Sequence, residues 1–110
     1  MPRIEFARPR IVDGLWLPMV TPLHHGQVDF DGVQRLAAHY ADAGVDGLIV
    51  LGTTGEGGLL TDVERLQVAA ATLEAVQGTV PVIAGVGGVA THAVCEQVRR
   101  LERLDLAGYL

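Results

Sequence analysis

Apolar residues in this chain come as short continuous runs that alternate with stripes of helical period. The runs are Gly14-Leu15-Trp16-Leu17-Pro18-Met19-Val20, Val45-Asp46-Gly47-Leu48-Ile49-Val50-Leu51 and Val80-Pro81-Val82-Ile83-Ala84. Each has the length of a strand, and each is followed by Gly, Thr or Pro. Between the first two runs, Val33, Leu36, Ala37 and Tyr40 recur at i, i+3, i+4, i+7, one face of a helix. Asp29 is its expected N-cap, with Val28 and Val33 placed as a hydrophobic staple, and Gly44 ends it. The second helix starts at Thr61, where Thr61-x-x-Glu64 makes a capping box. Its expected apolar stripe is Leu66, Ala69, Ala70, Leu73 and Val76, and it stops at Gly78. Thr91 is the expected cap of a third helix with Val94, Val98 and Leu101 on one face and Arg99, Arg100, Glu102 and Arg103 outside. Asp105-Leu106-Ala107-Gly108 reads as another helix end of the Ala43-Gly44 type. Tyr109-Leu110 then begins a fourth strand.

Strands recurring at a spacing of roughly 30 residues are βαβ units. Runs apolar on both faces are buried on both sides, so the sheet is parallel and the class is α/β. A doubly wound sheet and a (β/α)8 barrel both satisfy this pattern. A barrel needs about 250 residues, so the 110 residues would supply under half of one. On the barrel reading, the outer strands of such a piece are open edges. The chain is accordingly expected to be a fragment or a truncated product. Pro18 lacks the ladder donor and places its strand at an edge. Residues 1–12, with three Arg and two Pro and no periodicity, are expected to form a mobile arm ahead of a domain over 13–110.

Composition narrows the function. Net charge is −5 and the eight cationic residues are all Arg. No basic patch points to nucleic acid, and no polybasic or long apolar run points to a membrane. The N-terminus lacks the apolar run of a signal peptide, and the single cysteine offers no disulfide. A cytoplasmic location is expected. Cys95 falls in a helical pattern and is expected to be a small packing residue. His24-His25 has no third ligand at a usable spacing, so no metal is expected. Gly85-x-Gly87-Gly88 lacks the GxGxxG pattern of a nucleotide turn. The chain has no lysine, so no side-chain amine here can form a Schiff base.

The stretch with most chemistry is Gly52-Thr53-Thr54-Gly55-Glu56, at the end of the second strand. Ligands of parallel α/β folds sit beyond the carboxyl ends of strands. Glycines let backbone N–H groups turn toward a ligand, and two threonines add hydroxyl donors. This is an uncharged cradle for a small anion, most simply a carboxylate. A plain strand-to-helix turn using Thr and Gly for geometry fits the same residues. Glu56 could serve as a base or cap local backbone donors, and the cap is the expected role, because a carboxylate beside an anion site would repel the ligand.

These segments resemble the N-terminal part of the dihydrodipicolinate synthase / N-acetylneuraminate lyase family. The resemblance rests on Gly14 to Pro22, Gly52-Thr53-Thr54-Gly55-Glu56, Leu60-Thr61-x-x-Glu64-Arg65 and Pro81-Val82-Ile83-Ala84-Gly85-Val86-Gly87, and covers about residues 13 to 110. It implies a class I aldolase on a TIM barrel, here about three βα units plus the start of strand 4. It implies a pyruvate-like 2-oxo acid and an aldehyde as substrates, a homo-oligomer (dimer or tetramer), and no metal or organic cofactor. By the same resemblance Thr53 is a catalytic proton-relay residue that also binds substrate, and Thr54 binds the substrate carboxylate. The family's imine-forming lysine and its relay tyrosine lie beyond Leu110; Tyr109 falls too early to be that tyrosine. Asp62, Arg65 and Val89 stand where lysine-regulated members carry histidines and an asparagine, which argues against lysine feedback. The alternative is a truncated, non-catalytic chain acting as an inactive, self-associating or small-anion-binding α/β module.

Overall fold

The structure is a computed structural model and describes residues 13–110; the arm expected over 1–12 lies outside the described residues. Strand β1 (Trp16–Pro18) leads into a small hairpin, β2 (Leu23–His24) and β3 (Gln27–Val28). Helix α1 (Phe30–Asp42), strand β4 (Gly47–Val50) and helix α2 (Asp62–Val76) follow. Strand β5 (Val82–Ala84), helix α3 (Thr91–Leu101) and strand β6 (Gly108–Tyr109) complete the described order. The main sheet is parallel with order β1-β4-β5-β6. Each crossover adds its strand on the same side of the last. Right-handed crossovers then place all three helices on one face, and α1 packs on α2 and α2 on α3. A doubly wound sheet would reverse its strand order. No reversal occurs among the described strands, so the architecture is that of a barrel wall.

The two faces of the sheet differ. Leu48, Val50, Val82 and Ala84 are fully buried beneath the helices, with Val33, Ala37, Val68, Ala69 and Leu101. Each Val or Leu so buried contributes about 1.5–3 kcal/mol. The opposite face carries Trp16 and the register pair Ile49–Ile83, all partly exposed. A Cβ on Gly47 would lie 2.4 Å from Trp16 Cε3, so glycine there makes room for the indole. Pro18 sits in β1, which among the described strands pairs with β4.

Several expectations hold at atomic detail. Asp29 accepts from Gly32 N at 2.9 Å. Gly44 adopts φ +93°, with Gly44 N donating to Ala41 O and Val45 N to Tyr40 O, a Schellman end. Both halves of the Thr61/Glu64 capping box are present. His24-His25 lies at a two-residue hairpin turn: His25 and Gly26 take φ +50° and +75°, the left-handed pair of a type I′ turn. Other expectations are corrected. The buried face of α2 is Arg65, Val68, Ala69, Thr72 and Val76, while Leu66, Ala70 and Leu73 are only half-buried. The true face includes two polar residues, which apolar counting passes over. Thr72 satisfies itself by donating to Val68 O at 2.8 Å. That helix ends one residue early, with Gln77 itself left-handed at φ +47°. Thr91 is the first residue of α3; Ala90 takes the cap position and offers no side-chain bond. The last turn of α3 ends at Leu101, and Gly108 opens β6 instead of closing a helix. Cys95 is exposed and packs no core, because it lies on the outer side of α3.

Candidate functional site

Strand β4 ends at Val50, and the chain then bends sharply. Leu51 is buried and takes φ +63°, a left-handed conformation that costs a non-glycine residue about 1–3 kcal/mol. Gly52 O accepts from Gly57 N, and Thr53 O accepts from Glu56 N, both at 3.1 Å. These two bonds close a compact loop whose outer turn is Thr53-Thr54-Gly55. The 3₁₀ turn Gly57–Leu59 carries the chain on to α2.

The Thr53 and Thr54 side chains are exposed, and among the described residues neither hydroxyl makes a hydrogen bond. The N–H groups of Gly52, Thr53, Thr54 and Gly55 likewise reach no acceptor among the described residues. Thr53 and Thr54 are the exposed members of this run, and their N–H groups and hydroxyls together make a donor-rich, uncharged turn; Gly55 is buried and Gly52 packs against Gly85. Glu56 does not cap the neighbouring donors as expected. It takes φ +55°, its side chain makes no capping bond, and only its own N–H closes the turn. Glu56 is exposed.

Backbone segments from three loops meet behind the threonines. A Cβ on Gly55 would lie 3.0 Å from Met19 O, on Gly57 2.0 Å from Leu51 O, and on Gly85 2.5 Å from Leu51 O and 2.8 Å from the Gly52 Cα. Close approach therefore requires glycine at Gly57 and Gly85, while a Cβ at Gly55 would be a tight contact. The buried Thr21 hydroxyl donates to Gly55 O at 2.6 Å. Arg65 is buried and spreads its guanidinium between two loops, with Nη1 donating to Gly57 O at 2.7 Å and Nη2 to Gly85 O at 2.6 Å. Nη2 also reaches Gln97 Oε1 at 3.3 Å, and Gln97 exchanges two bonds with the Gly87 backbone. Burial lowers the Arg65 pKa from its ordinary value, and the nearby Asp62 carboxylate opposes that shift.

A cleft of about 780 Å³ opens here, lined by Thr53, Glu56, Asp62, Arg65, Gln97 and the glycine backbone of both loops. Thr53 borders it; Thr54 does not. Asp62 and Arg65 come together in the cleft, whereas Val89 is fully exposed outside its lining. Among the described residues no three His, Cys, Asp or Glu side chains group as a metal site. Sequence reasoning missed Thr21 and Gln97 as partners of this loop, and saw Arg65 only as part of a matching motif and as a departure from the lysine-regulated pattern. The one available signal was a charged residue on the helix face that carries Ala69 and Val76.

The chain's sequence matches the Dihydrodipicolinate synthetase family over residues 12–110. It is 40% identical over 97 residues to a 4-hydroxy-tetrahydrodipicolinate synthase of Thermotoga neapolitana, covering 88% of this chain and 33% of the relative. It is 47% identical over 93 residues to 4-hydroxy-tetrahydrodipicolinate synthase 2 of Streptomyces coelicolor, covering 84% and 31%. Among solved structures, dihydrodipicolinate synthase from Aquifex aeolicus aligns with a TM-score of 0.82 at 32% identity, over 87% of this chain and 33% of that one. Proteus mirabilis N-acetylneuraminate lyase aligns with a TM-score of 0.82 at 33% identity, over 89% and 34%. The chain thus spans about a third of the length of the relatives it matches. Its parallel sheet is part of a TIM barrel, not of a doubly wound fold. By sequence and by fold, the chain belongs to the dihydrodipicolinate synthetase family.

Proposed function

We propose that this chain supplies the substrate-carboxylate loop of a Schiff-base-forming lyase acting on pyruvate or a related 2-oxo acid. The observation that carries this reading is the exposed pair Thr53 and Thr54 beyond the carboxyl end of β4, whose hydroxyls and N–H groups meet no partner among the described residues. Barrel enzymes place their chemistry at that end of the strands. Thr53 and Thr54 hold the carboxylate, and the Thr53 hydroxyl also passes the proton. The amine comes from outside these residues, since the chain has no lysine. It condenses with the 2-oxo group, releasing water, and the protonated imine accepts the electrons of the adjacent C–H bond as that proton leaves. The resulting enamine carbon adds to an aldehyde, and hydrolysis of the imine releases product. No metal or organic cofactor enters this scheme. The working form is a cytoplasmic homo-oligomer without lysine feedback, given Asp62 and Arg65 in the cleft.

A second reading has its own observation. The sheet face bearing Trp16, Ile49 and Ile83 is apolar and partly exposed. A non-catalytic, self-associating module would cover it with a further copy. One experiment separates the two: the intact mass of the native product, before and after borohydride reduction with pyruvate. A barrel-sized mass, near 250 residues, that gains a reduced pyruvate adduct on lysine supports the lyase. An 11.6 kDa product without a side-chain adduct supports the module.

A further inference from the structure

We infer that Arg65 is the positioning residue of the threonine loop, a clamp that fixes Thr53 through backbone carbonyls without touching the substrate. The inference rests on the reading of Thr53 and Thr54 as carboxylate ligands. The geometry is specific. The two ends of one planar guanidinium donate to Gly57 O and Gly85 O at 2.7 and 2.6 Å. The first carbonyl belongs to the loop after β4 and the second to the segment after β5. The Leu51–Gly52 backbone runs against both: side chains at Gly57 and Gly85 would each collide with Leu51 O. Leu51 and Gly52 immediately precede Thr53. Leu51 is also left-handed, a conformation that persists only where surrounding contacts over-determine it. Arg65 supplies that constraint from the α2 side, and Gln97 braces it from α3 at 3.3 Å while bonding the Gly87 backbone.

The fork is what matters here, more than the charge. A lysine in place of Arg65 retains the positive charge but presents a single ammonium point, which cannot reproduce two diverging bonds in one plane. Among the described residues the buried guanidinium makes no carboxylate bond: its acceptors there are two backbone carbonyls and a side-chain amide. An arginine recruited for charge alone would be paired or solvated. This one is spent on holding loops.

The test is Arg65→Lys in the native gene product, with two readouts. In borohydride trapping at varied pyruvate, Arg65→Lys is expected to raise the half-saturating pyruvate concentration at least tenfold, while in steady-state turnover without borohydride KM for the aldehyde is expected to stay unchanged. In amide hydrogen exchange, Gly57 and Gly85 are expected to exchange at least tenfold faster, with the amides of α1 unchanged. A wild-type-like pyruvate response and wild-type exchange in Arg65→Lys would overturn the clamp and leave only a charge effect. If Arg65→Lys does not fold, Gln97→Ala takes its place, with a two- to fivefold rise in half-saturating pyruvate expected; no change there overturns the inference. A wild-type protein that traps no pyruvate defeats the lyase reading, while the exchange arm still decides whether Arg65 holds the loop.

Discussion

The Thr21 hydroxyl donates a 2.6 Å hydrogen bond to the Gly55 carbonyl, joining the segment after β1 to the loop after β4 across a buried contact. The two residues are 34 positions apart, and the bond is one of the tertiary ties on the threonine loop. Thr21→Val keeps the shape and leaves Gly55 O without that partner. Stranding a buried acceptor costs about 1–3 kcal/mol. The expected outcome is a drop of that size in unfolding free energy of the native product, read by urea titration. A drop under about 0.5 kcal/mol, the size of an ordinary surface change, would mean that the bond contributes little.

The crowding at Gly85 gives a second expectation. A methyl group there would sit 2.5 Å from Leu51 O and 2.8 Å from Gly52 N, both backbone atoms that cannot swing aside. Gly85→Ala should therefore destabilise by about 1–3 kcal/mol, the usual range for overpacking. Gly58 lines the same cleft but meets nothing within 4 Å. Gly58→Ala should stay within about 0.5 kcal/mol of wild type. Urea midpoints of the two variants, measured side by side, check the contrast.

How much of this was readable beforehand follows from the kind of interaction involved. Local signals were readable: the Asp29 and Thr61 caps, the Gly44 end and the strand cores at Leu48 and Val82 depend on neighbours within a turn or on period. The threonine loop was readable because its hydroxyls and glycines are contiguous. Long-range polar ties were not. Arg65 meets Gly85 across 20 positions and Gln97 across 32, and no period links them. Buried Arg65 and Thr72 interrupt the apolar stripe of α2, so counting apolar residues rotated its face. Thr91 shows the reverse failure. It has the right residue type for a cap, but helix α3 begins one position earlier than that role allows, with Ala90 at the boundary.

That difference between the two threonines is itself testable. At Thr61 the side chain accepts from Glu64 N at 3.2 Å, and Glu64 Oε1 accepts from Thr61 N at 2.9 Å. Thr61→Ala should cost about 0.5–2 kcal/mol, as removal of an N-cap does. Thr91 is exposed and makes no capping bond, so Thr91→Ala should change stability by less than about 0.5 kcal/mol. Thermal melts of the two variants would show the asymmetry; equal losses would contradict the cap assignment.

Thr53 and Thr54 separate chemistry from folding more cleanly than any other pair in the chain. Both are exposed and neither hydroxyl is bonded among the described residues, so neither supports the fold. Replacing either by valine should leave unfolding free energy within about 0.5 kcal/mol of wild type. On the proposed function, Thr53→Val removes a proton-relay group, and kcat should fall by roughly 10²–10⁴-fold, the range of general acid–base steps. Thr54→Val removes only a carboxylate ligand, so its effect should fall on KM for the 2-oxo acid, with KM for the aldehyde unchanged. Steady-state kinetics of the native product with each substrate varied in turn reads both effects. Wild-type turnover in Thr53→Val would remove the relay role. Equal rises in both KM values for Thr54→Val would place its effect on the loop as a whole instead of on the carboxylate.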